Sequence, residues 1–246
     1  MYLWLSAQTS TTGRRLASSL GINCGYCPPV DESLIINWGG KVGDWTNKRI
    51  RRLKSLTYLN SPFEIVTNKY QQLGVMRNDG VKVPDFWLKN ERIQYPSIGR
   101  TFHHQGGSNF HMIFNESDRQ EHLTCVDYFI RYIPNKKEYR IHIIGEECVR
   151  ISKKVATENA DEYCHSNDKG WHFSHKRMRD KYIPMVELAK KAVKALNMDF
   201  GGVDILVGED DKLYVLEVNT GCGLGEMGVD IYGEKLEALL NEKADM

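Results

Sequence analysis

Glu217 and Asn219 stand two residues apart where an apolar run, YVLEVNTGCGL (214–224), passes into glycines. Side chains alternate faces along a strand, so the two would share one face. A carboxylate and an amide carbonyl on one face suit a hard cation such as Mg2+, although a strand end fraying into solvent can carry the same pair. The residues just upstream sharpen the choice. GVDILVGEDDKLYVLEVN (202–219) reads as two hydrophobic strands about a polar turn at 209–212. A hairpin centred between Asp210 and Asp211 sets Asp204 opposite Glu217, with Cβ atoms about 5 Å apart. Carboxylates that close repel, and a divalent cation, or a proton on one of them, relieves the conflict. The flanking residues are mostly apolar, which argues against a fully solvated acidic hairpin. Asp204, Glu217 and Asn219 are the candidate metal ligands.

Mg2+ held by few protein groups keeps positions open for phosphate oxygens. HHQGGSN (103–109) is a glycine segment between two expected strands, where Gly106 and Gly107 would let backbone N–H groups approach phosphates. A plain hairpin turn has the same composition. The segment matches neither the P-loop nor the dinucleotide fingerprint. Cations near it in the sequence pattern are Lys69, Arg100, Arg140, Lys153 and Lys154, each of which would also be at home on a solvated surface. Arg140 and Lys153 face each other if their hairpin turns at Glu146–Glu147.

The elements that must position these groups follow from periodicity and punctuation. GRRLASSLG (13–21) predicts a helix stopped by Gly21, and SLIINWGG (33–40) a strand stopped by glycines, together a small α/β piece. SPFEIVTNKYQQLG (61–74) predicts a helix with Ser61 as N-cap, Pro62 at its first position, Glu64 at the capping-box position and Gly74 as its end. YPSIGRTFHHQGGSNFHMIF (95–114) reads as strand, glycine loop, strand, and CVDYFIRYI (125–133) and EYRIHIIGEECVRISKKV (138–155) as further strands. Residues 155–180 are polar and irregular and read as a loop. In IPMVELAKKAVKALNMD (183–199), Pro184 opens a helix whose Met185, Leu188, Ala189, Ala192, Val193 and Leu196 form an apolar stripe, with Asn197 closing it. A hairpin and a terminal helix complete the chain.

Composition limits the function classes. A chain of 246 residues with 41% hydrophobic and 26% charged residues is an ordinary globular protein of one large domain or two smaller ones. A formal net charge of +1 makes no global electrostatic case for nucleic acid or membrane. No apolar run approaches a membrane span, and the N-terminus lacks the basic start and long apolar stretch of a signal peptide. Six cysteines then read as reduced thiols in a cytoplasm. Cys24 and Cys27 form a C-x-x-C with no second pair at zinc spacing, and the eight histidines show no metal-site spacing.

Taken together, these residues resemble the ATP-grasp superfamily of carboxylate–amine ligases, with the closest likeness to its α-L-glutamate-ligase-like branch, short bacteriophage-encoded members included. The resemblance covers roughly residues 35–235. LNMDFGGVDILV…YVLEVNTGCGL is similar to the family's metal-binding hairpin, which implies Asp204, Glu217 and Asn219 as ligands of one or two Mg2+ ions, or Mn2+. TNKYQQLGV…VPDF resembles the segment with the first ATP-binding lysine, here Lys69. YPSIGRTFHHQGGSNFHMI resembles the strand with the second cation, here Arg100 where many members have lysine, followed by a phosphate lid over Gly106, Gly107 and Ser108. RYIPNKKEYRIHIIGEECVRISKK resembles the adenine hinge, at Tyr132–Ile133 or Phe129–Ile130, and the arginine strand. GWHF (170–173) echoes the phage members, and Cys222 stands where the family often has proline. The resemblance implies an α+β ATP-grasp fold with a short N-terminal α/β segment (1–60), a lid subdomain (61–130) and a metal-binding subdomain (131–246). It implies a ligase in which Glu138 holds the ribose, Arg140 a substrate carboxylate, and Lys153 or Lys154 the transferring phosphate. An acyl phosphate would react with an amine, amino acids or peptides being the substrates. A phosphotransferase and a non-catalytic nucleotide-binding module are the rival readings.

Overall fold

The computed structural model describes residues 1–7, 10–42, 45–102 and 107–244. The apolar start of the chain forms β1 (Tyr2–Leu5), followed by α1 (Thr11–Ser19), β2 (Asn23–Gly25), β3 (Leu34–Trp38), α2 (Asn47–Lys54) and β4 (Thr57–Leu59). The four strands make a parallel sheet in the order β2-β1-β3-β4. Ser10 caps α1 by accepting from the Gly13 amide, and Gly21, at φ +64°, turns the chain out of it as expected.

The helix expected from Ser61 begins later. Residues 61–65 make a single turn, in which the Glu64 and Ile65 amides donate to the Ser61 carbonyl. Ile65-Val66-Thr67, a β-branched run that disfavours helix, then separates this turn from α3 (Lys69–Asn78). Asn68 is the N-cap, and Gly74 sits inside the helix. Next come β5 (Phe86–Leu88), β6 (Ser97–Arg100), β7 (His111–Ile113), α4 (Glu116–His122) and β8 (Tyr128–Arg131). Their strands form an antiparallel sheet in the order β5-β8-β6-β7.

The third sheet is built from β9 (Asn135–Ile144), β10 (Glu147–Ala156), β11 (Trp171–Lys176), β12 (Phe200–Gly208) and β13 (Leu213–Asn219), in the order β11-β10-β9-β12-β13. Helix α5 (Ile183–Ala195) precedes β12, and α6 (Glu226–Ala244) ends the described chain. β11 corrects the reading of 155–180 as a loop throughout: Trp171, Phe173 and His175 alternate with His172, Ser174 and Lys176 along the edge of β10. No helix among the described residues is long and apolar enough to cross a membrane.

One face of the third sheet is apolar. Tyr139, Ile141, Ile143, Ile151, Val203, Ile205 and Val215 pack with Val186, Ala189, Ala192 and Val193 of α5 and with Leu196 at its C-cap. The small Ala189 and Ala192, both fully buried, let this helix lie close to the strands. A second cluster joins the parallel sheet to the third one. In it Trp38 stacks on Phe200 at 5.8 Å and meets Tyr232 of α6 edge-on at 5.5 Å. Asn60, held at φ +59°, completes the joint: its amide nitrogen donates to the Phe200 carbonyl and its Oδ1 accepts from the Asp199 amide. The polar face of the third sheet is thereby fixed toward the space between the sheets.

Candidate active site

The outer part of the β12–β13 hairpin is a three-residue loop. The Gly208 amide donates to the Lys212 carbonyl, the Asp211 amide donates to the Gly208 carbonyl, and Asp211 lies at φ +58°. Pairing runs Val207–Leu213, Leu206–Tyr214, Ile205–Val215, then shifts at a bulge to Asp204–Glu217 and Gly202–Asn219. Leu216 is the extra residue, and the bulge turns both it and Glu217 toward one cavity. Asp204 and Glu217 are therefore opposed as expected, with Asn219 on the same face and its amide donating to Glu217 Oε1 at 2.8 Å.

The two carboxylates are neutralised by protein cations. Arg140, on β9 directly opposite Asp204, donates from Nε to Oδ1 at 2.6 Å and from Nη2 to Oδ2 at 2.8 Å. This is a bidentate fork, on side chains only 15% and 5% exposed. Lys69, the first residue of α3, is ion-paired with Glu217. A lysine at the positive end of a helix is favoured only if anions stand nearby. Burial alone would push the Glu217 carboxyl up, but Lys69, the Asn219 amide and Arg140 hold it well below the ordinary carboxylate range. Asp204, Glu217 and Asn219 together offer only oxygen ligands on one sheet face, a donor set that fits Mg2+.

The Arg140–Lys153 pairing expected from the sequence does not form. The β9–β10 turn falls at Gly145–Glu146, and a register shift between Cys148 and Arg150 leaves Arg140 opposite Ser152 and Lys153 opposite Tyr139, on the apolar side of the sheet. Lys154 faces the cavity instead, ion-paired with Glu138. His165 Nδ1 lies 3.0 Å from the other oxygen of Glu138, and its ring stacks on Trp171 at 3.8 Å. Glu138 is buried, which works to raise its pKa, yet Lys154 and His165 hold it below the ordinary value. We expect Lys154→Ala to weaken ATP binding at least about 10-fold and Lys153→Ala to leave it within about 2-fold, as measured by calorimetric titration. Equal losses would contradict the alternation of the strand.

These groups line a cavity of about 610 Å3 that reaches all three sheets, from Gly39 and Lys41 through Arg100 to Asp204. That is the size of a small-molecule or cofactor site. Arg100 ends β6 at its wall, and burial lowers its pKa. Tyr132 and Ile133, on the link between the second and third sheets, line the cavity, as does Ile130; Phe129 is buried in the cluster beneath β6. Gly107 (φ +81°) lines it too, so close to Cys164 and Ser166 that a Cβ there would lie 2.7 Å from the Sγ of one and the Oγ of the other. Ser108 is exposed, and Gly106 lies outside the described residues.

Three neighbours were not among the candidate site residues. Phe173 of β11 carries the Arg140 guanidinium 4.5 Å and the Lys154 ammonium 5.6 Å from its ring centre. Alternation within GWHF would have placed Trp171 and Phe173 on one face once a strand was recognised there. His165 could not be placed from its spacing to Glu138. Cys222, the third, is buried beneath Gly202 and Arg140, and its thiol donates to the Asn219 carbonyl at 3.3 Å. Burial pushes that thiol up to about 11, so it fills space rather than acting as a nucleophile near neutral pH.

A family model described as RimK-like ATP-grasp domain matches residues 108–239, just over half of the chain. No curated protein matches the sequence. Among solved structures, the chain is similar to the ATP-grasp ligase PsnB complexed with a minimal precursor, at 15% identity and TM-score 0.68, with 98% of each chain covered. It is similar to D-alanine–D-alanine ligase from Bacillus anthracis complexed with ATP, at 15% identity and TM-score 0.68, covering 99% of this chain and 97% of that one. It is also similar to the macrocyclase MdnC from Microcystis aeruginosa bound with its precursor peptide, at 15% identity and TM-score 0.63, covering 98% and 99%. At these identities the likenesses establish the fold, an ATP-grasp fold.

Proposed function

Because the chain belongs to the RimK-like ATP-grasp family, we propose that it is an ATP-dependent ligase that activates a carboxylate as an acyl phosphate and joins it to an amine. The observation that carries this reading is the convergence of Asp204, Glu217 and Asn219 with Arg140 and Lys69 on the floor of one cavity. The three units 1–60, 61–130 and 131–246 follow the three sheets in this reading, and ATP lies between the second and the third.

The adenine takes the apolar wall of Ile98, Ile130 and Leu216 beside the Tyr132–Ile133 backbone. Glu138 fixes Lys154 and is the acceptor for ribose hydroxyls. Lys69, Arg100 and Lys154 face the phosphates, with Gly107 and Ser108 on the segment that covers them. Mg2+, or Mn2+ in its place, would be held by Asp204, Glu217 and Asn219 and would offset charge on the β- and γ-phosphates. Arg140 gives its Nε and one Nη2 hydrogen to Asp204, and the remaining guanidinium N–H donors suit a substrate carboxylate. The carboxylate oxygen attacks the γ-phosphorus, ADP leaves, and the amine then displaces phosphate with loss of a proton. The end of the cavity at Ser6, Gly39 and Thr220 is the place for the second substrate. Amino acids or peptides are the substrate class of the glutamate-ligase-like branch, to which we assign the chain.

Hydroxylamine tests the reading. An acyl phosphate is a mixed anhydride and is trapped as a hydroxamate, whereas a phosphate ester is not. Screening amino acids and short peptides with ATP, Mg2+ and hydroxylamine should give hydroxamate and ADP in equal amounts. ADP with a stable phosphorylated product and no hydroxamate would make the protein a phosphotransferase. ATP binding without turnover of any candidate would favour a nucleotide-binding module.

A further inference from the structure

Away from the cavity, the second sheet carries a cluster of nitrogen and sulfur donors. His111 begins β7, His122 ends α4, and Cys125 lies three residues beyond, where its amide donates to the His122 carbonyl at 3.0 Å and closes a turn. The Cys125 Sγ is 3.8 Å from His111 Nε2 and 3.9 Å from His122 Nδ1. One ligand atom from each residue lies within 4.8 Å of the others, and the two imidazole centres are 4.4 Å apart. We propose that His111, His122 and Cys125 bind one zinc-class divalent ion, with a fourth position open to water.

The distances support this. Zinc bonds of about 2.3 Å to sulfur and about 2.0–2.1 Å to nitrogen, at a tetrahedral angle, put S and N about 3.6 Å apart. The observed separations exceed that by only a few tenths of an ångström. The thiol proton does not account for the convergence of the two rings on sulfur, because the thiol donates it to the His122 carbonyl at 3.1 Å. Cys125 is exposed and both histidines are half-buried, so the ion can enter and one coordination position faces solvent. Two imidazole nitrogens and a thiolate sulfur select zinc or its borderline neighbours and reject Mg2+, the reverse of the oxygen-only hairpin site.

The ion would bridge two short elements. β7 is a three-residue edge strand with a single strand neighbour, β6, and α4 has seven residues, none of them buried. A metal bond between them cross-links the sheet edge that receives the chain from the glycine segment. It adds folding free energy to the packing of Ile113 in the cluster beneath.

The test uses the full chain after chelator treatment, titrated with Zn2+ against a competing chelator and separately with Co2+. We expect one tight zinc per chain, undisturbed by millimolar Mg2+. Cys125→Ser and His122→Ala should each weaken it by at least about 100-fold, since loss of a ligand should cost no less than loss of an outer partner. The Co2+ adduct should show a thiolate charge-transfer band that vanishes in Cys125→Ser and survives in Cys24→Ser/Cys27→Ser. Cys125→His should retain zinc and lose the band, which distinguishes ligation from a folding defect. Zinc affinity unchanged in both single variants, a site lost with Cys24 and Cys27 instead, or a cobalt complex without the band would each overturn the proposal.

Discussion

Asp204→Asn and Glu217→Gln should each lower ATP turnover by about 10^3-fold or more, while only the first should markedly destabilise the fold. The common loss follows from the shared face. Both carboxylates offer oxygen ligands at the same place, and neither replacement amide supplies the negative charge that holds a divalent ion against phosphate. The difference follows from their partners. Asp204 is 5% exposed and accepts both hydrogen bonds of the Arg140 fork, so an amide there leaves a largely buried guanidinium without its counter-charge, at a cost of about 3–5 kcal/mol. Lys69 and Glu217 are 26% and 20% exposed, and water reaches the lysine once its partner is neutral. The cost for Glu217→Gln should be about 1–2 kcal/mol. Turnover by ADP release and stability by urea midpoint separate the two effects. Near-normal turnover in either variant with Mg2+ present would remove that residue from the metal site. Equal destabilisation would mean that the Arg140 fork contributes nothing beyond the Lys69 pair.

The same hairpin shows what was readable and why. Opposition of Asp204 and Glu217 was expected from a symmetric four-residue turn. The chain instead takes a three-residue turn closed by Asp211 in the left-handed region, and the bulge at Leu216 restores the pairing one residue further on. Two local departures cancel, so the constellation was legible although the backbone route to it was not. On β9–β10 the turn falls one residue earlier than expected, which alone would set Ile151 opposite Arg140; the shift near Cys148 restores only half of that displacement, and the partner of Arg140 is Ser152 rather than Lys153. Side-chain direction in a sheet has a period of two, so one unseen residue reverses an assignment. Helix α5 was legible because its stripe repeats over three turns and its ends carry Pro184 and Asn197, the latter at φ +55°. Helix α3 was misplaced because Ser61-Pro62 is a sound start signal that here opens only one turn, while the competing signal, Asn68 with Gln71 three residues on, lacks the proline and is the working cap. The approach of His111 to His122 and Cys125 depends on how α4 returns over β7, which no spacing encodes.

A second large effect concerns acid stability, centred on His142. This residue lies on the polar face of β9, 2% exposed, and shares a 2.7 Å hydrogen bond between Nδ1 and the Tyr232 hydroxyl of α6. Burial first, then Arg140, Arg150 and His175, depresses its pKa from 6.5 to about 3, and burial keeps Tyr232 a neutral phenol. The unfolded chain takes up a proton at this imidazole below about pH 6.5, while the folded chain does so only near pH 3. Over that interval the unfolded state holds the additional proton, so stability falls as the pH falls. The full interval corresponds to a loss of up to about 5 kcal/mol, comparable with the whole stability of many domains. Glu217 and Glu138, whose folded pKa values are depressed, lose their contributions only below about pH 4.5, the ordinary glutamate value. The window from pH 6.5 to pH 4.5 therefore reports on histidine. His111 shifts in the same direction as His142, and comparison with a variant isolates the latter. His142→Gln keeps a polar side chain of similar size and cannot titrate. We expect the urea midpoint of the wild-type protein to fall steeply between pH 7 and pH 4.5 and that of His142→Gln to fall clearly less, by what His111 contributes. Parallel profiles would mean that His142 takes up its proton in the folded state at an ordinary pH, and that the packing of α6 on β9 tolerates a charge there.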